Sequence, residues 1–248
     1  MKEDINPNGI KIYFIESEHR YYTDNIKDFT SVTTFVESLF KQFDREKISY
    51  NYAQKYGFSQ EEVLAKWDKK AKDSCDLGTN VHEFCEAYLL KNDLPDPISE
   101  KAKLLFSYAI VKLDNLLKDF VLVSSEKIIF SEKFKLCGTA DLLMREKSTG
   151  KLYLLDFKTN NVIDKTNKWS KYALSPFSQF DDNNFTHYTI QLNMYRKLLL
   201  LEKYFDEEIY MGIIHFSSDG SFSHRVKNIE NDIDLMFQYF FNKQTIAI

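Results

Sequence analysis

Asp156 and Lys158 stand two residues apart at the end of the apolar run Leu152-Tyr153-Leu154-Leu155. In an extended strand this spacing points a carboxylate and an ammonium to the same side. Taken alone, the pair reads equally as a solvated ion pair at a strand end, where such pairs contribute little. The preceding apolar run carries a second acid, Asp141, within Leu136-Cys137-Gly138-Thr139-Ala140-Asp141-Leu142-Leu143. An acid among apolar neighbours calls for a partner or a cation. Only Lys147-Ser148-Thr149-Gly150 separates the two runs, so they read as antiparallel neighbours across a hairpin turn, with Asp141 brought toward Asp156. Two carboxylates close together in a half-buried place repel unless a divalent cation binds between them, and oxygen ligands with retained water favour Mg2+ or Mn2+. Gly138 leaves room for a bulge or a close backbone approach on the same strand.

His82 adds a nitrogen ligand candidate. It lies beside the apolar stripe of a helical stretch, and Gly78, one turn earlier on the same side, keeps that face open. A satisfied structural histidine is the competing reading. Gln191 and Tyr195, spaced i, i+4 on a later helical stretch, place an amide and a phenol on one face. A core tyrosine with an edge glutamine is the alternative there.

The elements that must position these groups follow from periodicity. Ile10 to Thr23 alternates loosely and reads as a short strand pair, and Ser31-Val32-Thr33-Thr34 opens a helix with apolar residues at Val32, Phe35, Val36, Leu39 and Phe40. Asp44 to Lys72 is helix-forming and charged, with Lys66, Lys69, Lys70 and Lys72 gathered at one end, either a solvated helix face or a phosphate contact. A third helix is expected over Asp76 to Leu90, and a long one from an N-cap at Ser99 to about Asp119. Strands follow at Val121 to Phe130, Lys133 to Arg145 and Lys151 to Lys158, then a helix from Thr186 to Phe205. A strand pair around Asp219-Gly220 and a closing helix from Ile229 to Gln244 complete an α/β core with an N-terminal helical addition.

The chain has 248 residues, 44% hydrophobic and 28% charged, enough to bury a substantial core. Only seven Gly and four Pro argue against a turn-dense all-β or linker-rich chain. Against 33 Lys and Arg stand 37 Asp and Glu, a net charge of −4, so any polyanion must be held by a local patch. Cys75, Cys85 and Cys137 form no C-x-x-C pair and suggest neither a disulfide framework nor a zinc site. With a polar, acidic start and no apolar run of membrane length, the expectation is a soluble cytoplasmic protein without a membrane partner.

Taken in order, Gly78-Thr79-Asn80-Val81-His82, Glu126, Gly138-Thr139-Ala140-Asp141, Asp156-Phe157-Lys158-Thr159 and Gln191-Leu192-Asn193-Met194-Tyr195 resemble the RecB-like branch of the PD-(D/E)XK nucleases. Ser31-Val32-Thr33-Thr34 also looks like the start of the mitochondrial genome maintenance exonuclease and related phage exonucleases, so the likeness covers most of Ser31 to Tyr195. It implies a restriction-endonuclease-like α/β fold, a mixed sheet flanked by helices, as one nuclease domain over 1–248, with 1–75 as the N-terminal addition and 76–248 as the core. It implies His82, Asp141, Asp156 and the Phe157 backbone carbonyl as ligands of Mg2+ or Mn2+, Lys158 as the catalytic lysine, and Asp141, Asp156 and Glu126 as its acidic companions. Glu132 competes with Glu126 for that last place. Gln191, Tyr195 and Thr159, with the hydroxyls of Ser31 and Thr33, would hold phosphate or nucleotide. Relatives with an iron-sulfur cluster use four cysteines, which these three cannot supply. The implied activity is metal-dependent hydrolysis of DNA, on single-stranded ends, in replication, recombination or repair. An endonuclease, an RNA-directed relative and a non-catalytic DNA-binding scaffold are the alternatives.

The connection from Asn160 to Phe185 carries Trp169, Tyr172, Phe177, Phe180 and Phe185 with no core period. Trp169 and Phe180 are candidates for stacking on unpaired bases. Packing of the same rings onto the body is the equal alternative.

Overall fold

A computed structural model describes residues 2–15, 18 and 20–246, with side chains through Phe240. A mixed sheet with helices on both faces forms its centre. In chain order, β1 (Lys2–Ile5), β2 (Lys11–Ile15) and β3 (Arg20–Tyr22) make a small antiparallel sheet. β4 (Thr30–Ser31) then leads into α1 (Val32–Ser38), α2 (Arg45–Tyr56), α3 (Gln60–Leu90) and α4 (Glu100–Asp119). β5 (Phe120–Ser131), β6 (Leu136–Glu146) and β7 (Leu152–Lys158) precede α5 (Asn184–Leu201), β8 (Ile209–Ser217), β9 (Gly220–Val226) and α6 (Glu230–Ile246). The main sheet runs β4-β6-β7-β8-β9, with β5 also on β6; β4 pairs β6 and β7 pairs β8 in parallel, the other neighbours antiparallel.

Strand alternation sends apolar side chains to both faces. On one face, Leu142, Met144, Leu155, Phe157, Ile214 and Phe216 pack against Val81, Phe84 and Cys85 of α3 and Leu105, Ala109 and Leu113 of α4. On the other, Leu143, Leu152, Leu154, Met211 and Ile213 pack against α1, α5 and α6 through Val32, Leu192, Leu198, Ile233 and Met236. Ile12, Phe14 and Tyr21 of the small sheet close over Ile128, Phe130 and Cys137 of β5 and β6.

Three departures from the sequence-based expectation matter for the site. The helix expected to begin at Asp76 is the second half of α3, which runs unbroken from Gln60 to Leu90 and so crosses the expected 75/76 division. The real break lies at Gly57, left-handed at φ 72°, and Ser59 restarts the helix with a reciprocal capping box to Glu62. β4 joins the N-terminal segment directly to β6. β1 has no strand pattern in the sequence because its residues are mostly exposed and polar; Asp4 anchors it by taking the Lys127 ammonium and the Ile128 N–H at 3.1 Å. No helix among the described residues is long and apolar enough to cross a membrane.

The site-forming feature is a fork in the sheet. β6 pairs with β4 at Leu136 and Cys137 and with β7 from Leu142 to Arg145. Between these, Gly138 to Asp141 pairs on that edge with neither strand. β7 continues past Leu155 on β8 alone, Asp156 beside Ile213 and Lys158 beside His215.

Candidate active site

Elements from across the chain converge at this fork on a cleft of about 510 Å³. It is lined by Gly78 and His82 of α3, Glu126 of β5, Gly138, Thr139 and Asp141 of β6, Asp156 and Lys158 of β7, Gln191 and Tyr195 of α5, and Ser31 and Thr33 where β4 enters α1. Where the β6–β7 ladder ends, the Asp141 carboxylate takes over from the backbone: its Oδ2 accepts the Phe157 N–H at 2.7 Å. That bond fixes the acid at the splayed end of β7.

His82 reaches the same point from α3. Its Nε2 lies 3.1 Å from the Phe157 carbonyl oxygen, and its Nδ1 3.5 Å from Asp141 Oδ2 and 3.7 Å from Glu126 Oε1. One donor atom each of His82, Glu126 and Asp141 falls within 4.8 Å of the others. Glu126 is held in this position at φ 48° inside a strand, a left-handed conformation costly for a non-glycine residue. Glu132, its competitor in the sequence, instead accepts the Thr23 hydroxyl at 2.6 Å on the β5–β6 turn. Asp156 is buried and ion-paired with Lys158; it lines the cleft but does not belong to the three-residue cluster. The Lys158 ammonium also sits 4.7 Å over the Tyr188 ring, whose hydroxyl donates to Asn160 at 2.6 Å.

The polar residues on the α5 side form a closed network. Gln191 Nε2 donates to Thr33 Oγ1 at 3.2 Å and to Tyr195 Oη at 3.1 Å, while Ser31 Oγ caps α1 by accepting the Thr34 N–H at 3.0 Å. Tyr195 lies flat on β6 because residue 138 has no side chain; a Cβ there would come within 2.8 Å of Tyr195 Oη and 2.9 Å of Cζ. Gly138→Ala is therefore expected to cost about 1–3 kcal/mol by overpacking. Thermal unfolding checks this, and trimming Tyr195 to Leu in the same chain should recover part of the loss. Gly78 plays a milder part: a Cβ there would meet Thr159 Oγ1 at 3.5 Å, so α3 rests on the end of β7.

Charge in the cleft is unbalanced. Burial alone would lower the His82 pKa, but the Asp141 charge and the Glu126 hydrogen bond and charge outweigh it and hold the imidazole up at about 9, with Lys158 opposing. Burial raises Asp156 to about 6 against the pull of Lys158, and burial likewise raises Asp141. Burial would also lower Lys158, yet Asp156 and Asp141 keep it raised. Three carboxylates thus share one lysine and one imidazolium. One nitrogen and several hard oxygen donors with surplus negative charge fit a divalent cation of the Mg2+ or Mn2+ type.

The same imbalance sets a pH dependence. With a folded pKa near 9 against 6.5, His82 stabilises fully below pH 6.5, and that contribution is lost as the pH rises through 9. Asp156, raised from 3.8 to about 6, stabilises fully below pH 3.8 and loses its contribution as the pH rises through 6. The metal-free protein should therefore melt several degrees lower at pH 9.5 than at pH 6.5, and Asp141→Asn should flatten that slope. An unchanged slope in the variant would remove Asp141 as its cause.

Residues that the sequence did not single out also border the cleft. Tyr21 and Phe14 arrive from the small sheet, their rings stacked at 4.3 Å, with Tyr21 Oη 3.1 Å from Thr139 Oγ1. Tyr188, whose ring lies under the Lys158 ammonium, does not line the cleft itself; it sits three residues before Gln191 on α5, a relation that becomes visible only once Lys158 is placed. Trp169 and Phe180 do not line the cleft. Trp169 is 81% exposed, whereas Phe180 packs against the α5-side core. Phe180→Ala should destabilise the chain by less than the roughly 3–5 kcal/mol of a fully buried Phe, read as a lower melting temperature, and Trp169→Ala should leave the melting temperature unchanged.

No protein-family model and no curated protein matches the chain. Among solved structures, similarity extends to the protein SSO0001, 14% identical over 88% of this chain and 74% of that one, with a TM-score of 0.35. It also extends to a protein named "Putative exonuclease" from Eubacterium rectale, 12% identical over 88% of this chain and 79% of that one, again with a TM-score of 0.35. Likeness at this level defines neither fold nor activity, and the chemistry of the site rests on its own geometry.

Proposed function

We propose that the chain is a Mg2+ or Mn2+ dependent deoxyribonuclease with a PD-(D/E)XK fold of the RecB-like branch. Its reaction is hydrolysis of phosphodiester bonds at single-stranded DNA ends, in replication, recombination or repair. The observation that carries this reading is the meeting of the His82, Glu126 and Asp141 donor atoms within 4.8 Å in the cleft that also holds the Asp156–Lys158 pair.

In this reading His82, Glu126 and Asp141 would hold the cation, with Asp156 and the Phe157 carbonyl as further oxygen donors beside them. A divalent cation supplies, when bound, positive charge that favours formation of the attacking hydroxide and offsets negative charge gathering on phosphorus. Lys158, kept protonated by Asp156 and Asp141, places its ammonium where the nucleophile or a non-bridging phosphate oxygen gains charge. His82 would have to be neutral to ligate, so holding the cation would cost its raised proton. Gln191 and Tyr195, held by each other and by Thr33, present a fixed amide and phenol to the phosphate or sugar beside the scissile bond. The 3′ oxygen then leaves opposite the attacking hydroxide, as the family resemblance implies.

End-labelled single-stranded, duplex and circular DNA, incubated with and without Mg2+ or Mn2+, test the proposal. Cation-dependent shortening of linear single strands, with circles left intact, is the expected result. Cleaved circles would replace the exonuclease with an endonuclease, and no cleavage of any form would overturn the assignment.

A further inference from the structure

A second groove opens beside the cleft, lined along α3 by Lys66, Lys69 and Lys70 and across from them by Lys101 of α4 and Asn161, just past the end of β7. It shares Thr79 and Glu83 with the active-site cleft, so the two adjoin across α3. From Thr79 back to Lys66 the helix rises about 20 Å, with residues 66, 69, 70 and 73 on neighbouring turns of one face. Lys69 and Lys70 make no hydrogen bond or ion pair among the described residues, while Lys66 sits 4.0 Å from the centroid of the Phe58 ring and interacts electrostatically with Glu62 one turn earlier. Phe58 is itself 41% exposed at the far end of this row. Lys101 is tied to Asn161 at 2.8 Å, joining α4 to the segment that leaves the Asp156–Lys158 strand. The groove also contains Asp73, Asp76 and Glu83; Asp76 is already paired with Lys72 at 2.7 Å.

We propose that this groove carries the sugar-phosphate backbone of a single DNA strand running away from the active-site cleft, with Lys66, Lys69 and Lys70 as its phosphate contacts and Lys101 opposite. The inference rests on the nuclease reading of the adjoining site and adds the route of its substrate. Exposed lysines spaced along a helix suit successive phosphates, and the partly exposed Phe58 ring at the end of the row is placed to meet an unpaired base. A local lysine row supplies the attraction to a polyanion that a net charge of −4 denies the molecule as a whole.

The test is a combined Lys66→Ala, Lys69→Ala, Lys70→Ala variant of the full chain. The three side chains are exposed, and alanine favours helix, so the fold is not at risk. Binding of a fluorescent single-stranded oligonucleotide is measured in EDTA across a salt series, and cleavage is followed separately in Mn2+. Removing three phosphate contacts should weaken binding about tenfold or more at moderate salt and flatten the log K against log salt slope by about 2. Melting temperature and Mn2+ affinity should stay at wild-type values. Wild-type Kd and salt slope in the variant, alongside normal wild-type cleavage, would overturn the groove and leave the nuclease reading standing. Strand binding weakened by the substitutions, with no cleavage by the wild type, would keep the groove and overturn the nuclease. A wild type that neither binds nor cleaves would overturn both.

Discussion

Replacing Lys158 by Ala is expected to lower kcat for DNA cleavage by about 100- to 1,000-fold or more while leaving Mn2+ affinity at or above the wild-type value. The ammonium is ion-paired with the buried Asp156, seated over Tyr188 and held protonated by Asp156 and Asp141. Removing it leaves the acids of the cation site in place and takes away positive charge that opposes a bound cation. The loss therefore falls on the transition state, where charge develops, and not on the ground-state complex. Lys158→Arg should not restore the rate, because a planar guanidinium cannot occupy the compact place of an ammonium between Asp156 and the Tyr188 ring. Single-turnover cleavage in Mn2+, with calorimetry of Mn2+ binding in parallel, checks both halves. Near wild-type turnover would remove Lys158 from the chemistry.

Asp141→Asn is expected to abolish measurable cleavage and reduce Mn2+ affinity by at least about 10- to 100-fold, while leaving the metal-free protein as stable as the wild type or more so. Asp141 is buried, and that burial raises its pKa in spite of the opposing charges of His82 and Lys158, with Glu126 adding to the rise, so its ionised form is disfavoured in the folded state. An isosteric amide keeps an oxygen for the Phe157 N–H, which Asp141 accepts at 2.7 Å, and discards the charge. Stability and function then move in opposite directions, as expected where strain and like charge are concentrated at a site. Thermal melts with and without Mn2+ read both: the wild type should gain on adding the ion and the variant should not. Glu126→Gln and Asp156→Asn separate the two candidate ligand sets. The His82–Glu126–Asp141 geometry predicts the larger loss of affinity for Glu126→Gln, whereas the family resemblance assigns that place to Asp156. Unchanged affinity in Asp141→Asn would dissolve the site as drawn.

Local determinants were legible in the residues themselves. Ser31 and Ser99 read as helix starts because a hydroxyl before an apolar-periodic run satisfies a free N–H, and both cap their helices in the structure. Lys147 to Gly150 read as a turn, and β6 and β7 are indeed antiparallel neighbours across it. A strand period of two predicts that Asp156 and Lys158 share a side, and their side chains form an ion pair. The aromatics of the long connection fit stacking and packing equally by sequence, and burial divides them: Phe177 and Phe180 join the core while Trp169 faces solvent.

What only the tertiary structure decided is the fork. That β6 leaves Gly138 to Asp141 open between β4 and β7, and that β7 departs along β8 after Leu155, follows from pairing among strands far apart in the chain. No local pattern encodes it, because each strand's own periodicity is the same whether its neighbour stays or leaves. The position of Glu126 depends on a left-handed residue inside a strand, which propensity argues against and which the surrounding pairing enforces. The unbroken α3 bears Gly78 and His82 above the lysine row, and the small N-terminal sheet brings Tyr21 and Phe14 to the rim. The chemistry-bearing residue types are thus written in the chain, but their meeting at one point is set by non-local strand pairing and by helices packed on both faces of the sheet.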